Sequence, residues 1–165
     1  IKSFSLVLKS KPNSVLALIY GYKDENYYKY LLELSSRFIP DDNILNIGSV
    51  EYSKMPMYLT DADVFISIPT SDSSPKSVYE AMACKTPCVV SDIPWTKNFI
   101  RHEQEALITT WRNEGKIADS IIKILDNKKL SGDISRAGKK FVLENIDYHK
   151  NMAKMEKIMM KQINA

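Results

Sequence analysis

"DVFISIPTSD", residues 63–72, runs directly into "SSPKSVYEAMACKTPCVVSDI", residues 73–93, so that two short apolar runs flank a serine-rich loop and a helix-period segment. The runs "DVFISIP" (Asp63 to Pro69) and "PCVVSDI" (Pro87 to Ile93) are too short for buried helices and are closed by proline or aspartate. They read as buried strands. Between them, residues 75–84 carry Val78, Tyr79, Ala81, Met82 and Ala83 around one carboxylate, Glu80. A strand, a crossover helix and a second strand of this length predict a parallel βαβ unit.

Outward from this unit the alternation continues in both directions. Upstream lie a helix from Ile1 to Lys11, a strand "VLALIYG" (Val15 to Gly21) and a helix from Asn26 to Phe38. The last carries Tyr27, Tyr30, Leu31, Leu34 and Phe38 on one stripe. A second strand, "NILNIG" (Asn43 to Gly48), precedes a brief helix over Met55 to Thr60. Downstream come a short helix near Thr96 to Arg101 and a fifth strand, "ALITT" (Ala106 to Thr110). Helices over Glu114 to Asp126, Ser131 to Asn145 and His149 to about Gln162 complete the chain. The pattern predicts one Rossmann-like α/β domain over residues 1–165, with a parallel sheet of about five strands and helices on both faces.

The 165 residues suffice for one domain with its own core, and 44% hydrophobic with 26% charged content is that of a globular protein. No apolar run approaches the roughly 20 residues that cross a bilayer. The first residue is Ile and not Met, so the sequence reads as a piece of something longer. The net charge of +3 is uneven: from Arg136 to Ala165 seven Lys/Arg face three Asp/Glu. Such a basic helical tail suits an anionic membrane surface as well as a solvated face. No interleaving of aromatic and basic residues suggests nucleic-acid binding. Met152, Met155 and Met159 share one face of the last helix and read first as core packing. Cys84 and Cys88 lack the second Cys/His pair of a zinc site and read as small buried residues of a reduced, cytoplasmic protein.

In an open parallel sheet, ligands collect outside the carboxyl ends of the strands, and the loop after "VFISIP" is such a place. Ser73 or Ser74 suits the helix cap, and Pro75 the first turn. The free N–H groups of that turn would receive a phosphate. Glu80, six residues beyond Ser74, lies about 9 Å further along the helix axis and could accept two hydroxyls, as from a ribose. Asp72 is a second acceptor in the loop. The same residues also read as a partly exposed helix carboxylate and an ordinary turn aspartate.

The consecutive blocks "NILNIGSVEYSKMPMYLTDADVFISIPTSD" and "SSPKSVYEAMACKTPCVVSDIPW", followed by "FIRHEQEALI", together resemble the C-terminal domain of the retaining, GT-B-fold glycosyltransferases of family 4. The family's paired carboxylates match Asp72 and Glu80, with the family's eight-residue offset. The resemblance implies a nucleotide-sugar donor, with UDP or GDP as the nucleotide, and a hexosyltransferase-type activity. Glu80 would hold the ribose hydroxyls and Asp72 the transferred sugar, the two residues expected at the catalytic centre. The amides of Ser73, Ser74, Pro75, Lys76 and Ser77 would lie along the sugar and diphosphate, Pro75 contributing backbone without an N–H. The base would sit near Gly48 to Tyr52. No metal and no cofactor are implied.

The acceptor, a glycan or a lipid-linked saccharide, would be held by a separate N-terminal domain, to which the helix 149–165 would cross back, its methionine face then exposed in this chain or buried in a homotypic contact. That places the parent enzyme in cell-surface polysaccharide or glycolipid synthesis, in the cytoplasm or at the inner membrane face, with this chain alone inactive. A non-catalytic glycosyltransferase-like binding module and a related GT-B epimerase or phosphorylase are the alternatives. The chain departs from the family's pattern at four places. Asp72 stands for Glu, Lys85 and Trp95 stand where glycine is common, and Asn98 where glutamate often stands.

Overall fold

Each predicted strand and helix is present in a computed structural model that describes residues 1–21 and 24–163. In chain order these are α1 (Lys2–Ser10), β1 (Leu16–Ile19), α2 (Glu25–Phe38), β2 (Ile44–Gly48), α3 (Met55–Asp61), β3 (Phe65–Ser67) and α4 (Lys76–Ala83). They continue with β4 (Cys88–Ser91), α5 (Pro94–Phe99), β5 (Leu107–Thr109), α6 (Glu114–Asp126), α7 (Lys128–Asn145) and α8 (Tyr148–Ile163). Three long helices open on side-chain caps. Asp24 accepts from the Tyr27 N–H at 2.8 Å, Asn113 from that of Lys116 at 3.0 Å, and Asn127 from that of Leu130 at 2.9 Å. The Asn127 cap starts α7 three residues earlier than the expected Ser131. Asn164 and Ala165, the end of the expected terminal helix, lie outside the described residues.

All strand pairs are parallel, as the βαβ reading requires, but the five strands divide into a pair, β1–β2, and a triple, β3–β4–β5. In the triple, Phe65 lies opposite Cys88 and Val89 opposite Leu107. β4 is central and all four of its residues are buried. Its side chains alternate between two cores, following the two-residue period of a strand. Val89 joins Phe4 and Val7 of α1, Ile117, Ile121 and Ile124 of α6, and Ile134 of α7. Cys88 and Val90 join Val78, Ala81 and Met82 of α4 with Trp95 and Ile100. Helices therefore cover both faces, as a Rossmann-like domain requires.

Two apolar faces lie outside these cores. On α2 the stripe residues Tyr27, Tyr30 and Phe38 are exposed, and only Ser35 of that helix is buried. Tyr27, Tyr30, Leu31 and Leu34 instead border a crevice of about 1440 Å³ that also touches β1 and β3. Since β1 and β3 belong to separate sheets, α2 has no continuous sheet surface to cover. The methionine face of α8 corrects the core-packing expectation: no residue of α8 is buried, and Met152, Met155 and Met159 are all exposed. The helix leaves the body after Ile146 with none of the described elements covering it. Cys88 is buried, whereas Cys84 is only half-buried.

Candidate functional site

The loop leaving β3 sets the first part of the site. Asp72 Oδ1 accepts the Ser74 N–H at 2.9 Å, a local turn that an aspartate side chain closes on its own backbone. This competes with helix capping, and here the turn wins. Neither Ser73 nor Ser74 caps α4: Pro75 itself occupies the cap position, and no side chain bonds the first turn. The Pro75 carbonyl accepts from Val78 N–H at 3.1 Å. Ser74 Oγ donates instead to the Tyr79 hydroxyl at 3.3 Å. The N–H groups of Lys76 and Ser77 open α4 where helix geometry offers them no internal partner, at the positive end of its dipole.

One turn on stands Glu80. Its side chain is 25% exposed, and Lys76 Nζ lies 3.5 Å from Oε1. That oxygen is buried and accepts no hydrogen bond. The Lys76 ammonium stands beside this oxygen as an ion pair, without hydrogen-bond geometry. Glu80 and Ser77 both border the crevice. Asp72, Ser73, Ser74, Pro75, Lys76 and Gly48 are not among the residues that border it.

Gly48 ends β2 with φ of +76°, the left-handed region where side chains are strained. It receives the Tyr20 N–H on its carbonyl at 3.2 Å. The chain then runs through Tyr52, whose exposed ring lies 4.6 Å below Lys76 Nζ. The Lys76 ammonium thus bridges the loop after β2 to Glu80. The sequence pattern assigns Lys76 a backbone role alone.

Two further side chains form a unit that the sequence pattern does not reveal. Trp95, standing where glycine is common, is buried and does not occupy the crevice. Its Nε1 donates to the Tyr79 hydroxyl at 3.0 Å, and the two rings meet edge to face with centroids 5.5 Å apart. The spacing shows only that Tyr79, one residue from Glu80, points to another face of α4. Elsewhere, burial pushes the Cys88 thiol up, so this sulfur is no ready nucleophile. Among the described residues, no group of three or more His, Cys, Asp or Glu is placed to hold a metal ion. No helix among them is long and apolar enough to cross a membrane.

Comparison with known proteins gives a consistent result. The family model described as glycosyl transferases group 1 matches residues 1–141. The chain is 29% identical over 134 residues to N,N'-diacetylbacillosaminyl-diphospho-undecaprenol alpha-1,3-N-acetylgalactosaminyltransferase of Campylobacter jejuni, covering 79% of this chain and 32% of that protein. It spans about a third of the length of the curated relatives it matches. Among solved structures, Anabaena HepE in complex with UDP-glucose superposes with a TM-score of 0.86 at 15% identity, over 96% of this chain and 44% of that one. The C-terminal domain of LpcC, a glycosyl transferase group 1 family protein from Francisella tularensis, gives 0.76 at 16% identity, over 89% and 77%. The fold is that of the Rossmann-like C-terminal domain in GT-B glycosyltransferases.

Proposed function

The chain belongs to the group 1 glycosyl transferases, and from that premise we propose that it is the donor-binding part of a longer, retaining enzyme of family 4. The parent moves a hexose from a nucleotide-sugar, with UDP or GDP as the nucleotide, to a glycan or lipid-linked acceptor held by an N-terminal domain. The observation that carries this reading is the buried, hydrogen-bond-free Oε1 of Glu80 beside the first turn of α4. A ribose hydroxyl supplies the donor that this oxygen lacks. The neighbour solved with UDP-glucose supports a nucleotide-sugar as the ligand class.

In this reading the amide end of α4 receives the diphosphate, and its dipole offsets the charge that develops as the sugar departs. No metal ion is required for that step. Asp72 holds the transferred sugar and the loop after Gly48 holds the base. α8 crosses to the N-terminal domain, and the work is done in the cytoplasm or at the inner membrane face, on cell-surface polysaccharide or glycolipid precursors. Titration of the chain with UDP and with GDP, followed by calorimetry, tests the reading. Glu80→Ala is expected to weaken the better-bound nucleotide at least tenfold, as loss of a charged acceptor worth about 1.5–3 kcal/mol requires. Equal affinity in the variant, or no binding of either nucleotide to the unmodified chain, removes the proposal.

A further inference from the structure

Tyr79, which does not border the crevice, belongs to a chain of contacts that ends in the loop after β3. Trp95 of α5 is buried in the core it shares with Val78, Ala81 and Met82 of α4. Its indole N–H donates to the Tyr79 hydroxyl at 3.0 Å, and the rings pack edge to face at 74°. The same hydroxyl lies 3.3 Å from Ser74 Oγ. Ser74 also gives its N–H to Asp72 Oδ1 at 2.9 Å. A rigid core indole is therefore tied, through one phenol, to the residue that closes the Asp72 turn.

We propose that Tyr79 and Trp95 are positioning residues: they hold the loop 72–75, and with it Asp72 and the start of α4, in the shape that accepts the donor. The inference rests on the donor-site reading for its functional consequence but not for its structural one. Loops at strand ends lose conformational entropy when they order on a ligand, and a strut that orders them beforehand removes that cost. The Ser74 end contributes nothing to the core, so its purpose lies in the loop. Trp95 is large where the family commonly has glycine, and the Tyr79 hydroxyl is what converts that bulk into loop order.

The test separates ring packing from the hydroxyl. Tyr79→Phe keeps the edge-to-face pair and removes both hydrogen bonds, while Ser74→Ala removes only the loop end. Amide hydrogen exchange of the free chain is the first readout. In both variants the N–H of residue 74, its rate corrected for the side chain present, is expected to lose protection at least severalfold, with the amides of Val89 and Val90 in β4 unchanged. Protection at residue 74 equal to that of the unmodified chain overturns the proposal, whatever nucleotides do. The second readout is affinity for UDP and GDP. Tyr79→Phe and Ser74→Ala should each weaken binding about fivefold, and the double variant no more than either alone. Full affinity in these variants, in a chain whose binding is lost with Glu80→Ala, sinks the strut and leaves the donor site standing. If Glu80→Ala binds as the unmodified chain does, the donor reading fails and the exchange result alone decides the strut.

Discussion

Lys85 holds a backbone shape that its own side chain opposes. It sits just past α4 with φ of +63°, its N–H bonded to the Met82 carbonyl and that of Thr86 to the Ala81 carbonyl, both at 3.0 Å. This is the glycine-favouring close of a helix, made here without glycine at about 1 kcal/mol. Lys85→Gly is expected to raise the melting temperature by about 2–4 °C, somewhat less if the freer unfolded chain offsets the gain. A lowered melting temperature would show that the lysine contributes more than it strains. Glu105 presents the opposite case, a buried carboxylate that is well partnered. Burial alone would raise its pKa, but the Arg101 N–H at 2.7 Å, Nε at 2.8 Å and the guanidinium charge together hold it below the ordinary carboxylate range. A pKa depressed by folding adds stability above the unfolded value of about 4.3, and that stability drains away as pH falls through the folded value. Glu105→Gln should therefore cost about 1–3 kcal/mol at pH 7 and progressively less below about pH 4. Urea midpoints at about pH 7, 5 and 3.5 measure it, and a constant gap between the two proteins across that range would refute the linkage. Glu80 is legible in the sequence because a carboxylate within an apolar helix demands a partner. Tyr79 and Trp95 are not, because a hydrogen bond between residues 16 apart leaves no local pattern.

At the scale of elements, what can be read is what local chemistry decides. The caps at Asp24, Asn113 and Asn127 lie next to periodic runs, and β4 reads as an uninterrupted apolar stretch because both its faces are covered. The start of α4 misleads because Ser73, Ser74 and Pro75 carry every signal of a capped helix. The signals are degenerate: the Asp72 carboxylate claims the nearby amide first, and Pro75 moves from the first turn to the cap. For α2 and α8 the apolar stripes are legible but their burial is not. A stripe states which face of a helix avoids water, whereas burial depends on a second surface elsewhere in space. On α8 the residues Met152, Met155 and Met159 form one side while Lys150, Lys154, Lys157 and Lys161 fall on the other, so the amphipathic design is intact without a covering element among the described residues.

At the scale of the molecule, the break in the sheet is the feature with the clearest physical consequence. The order β2–β1 on one side and β3–β4–β5 on the other matches the doubly wound order 3-2-1-4-5-6 with its strand 1 position open. Leu16 to Ile19 of β1 and Phe65 to Ser67 of β3 both border the crevice, so two parallel strands present backbone edges to the same space. Edges of this kind invite another strand, and β3 carries neither a bulge nor a proline to blunt its own. α1 follows the position such a strand would occupy and packs on α6, and a right-handed crossover from a parallel neighbour of β1 would pass through it. Joining about five Val/Ile-rich residues and a short turn ahead of Ile1 is therefore expected to fill the crevice. Apolar burial on both faces should outweigh the ordering of the added residues by about 2 kcal/mol and raise the melting temperature by roughly 5 °C. Amide exchange in β1 and β3 should slow at the same time, which distinguishes strand insertion from loose coverage. The same extension with proline at alternate positions keeps its apolar bulk but cannot complete the ladder, and it should give neither effect. Equal stabilisation by both extensions would mean that the crevice takes apolar mass without regard to backbone, and the two edges would then need another explanation.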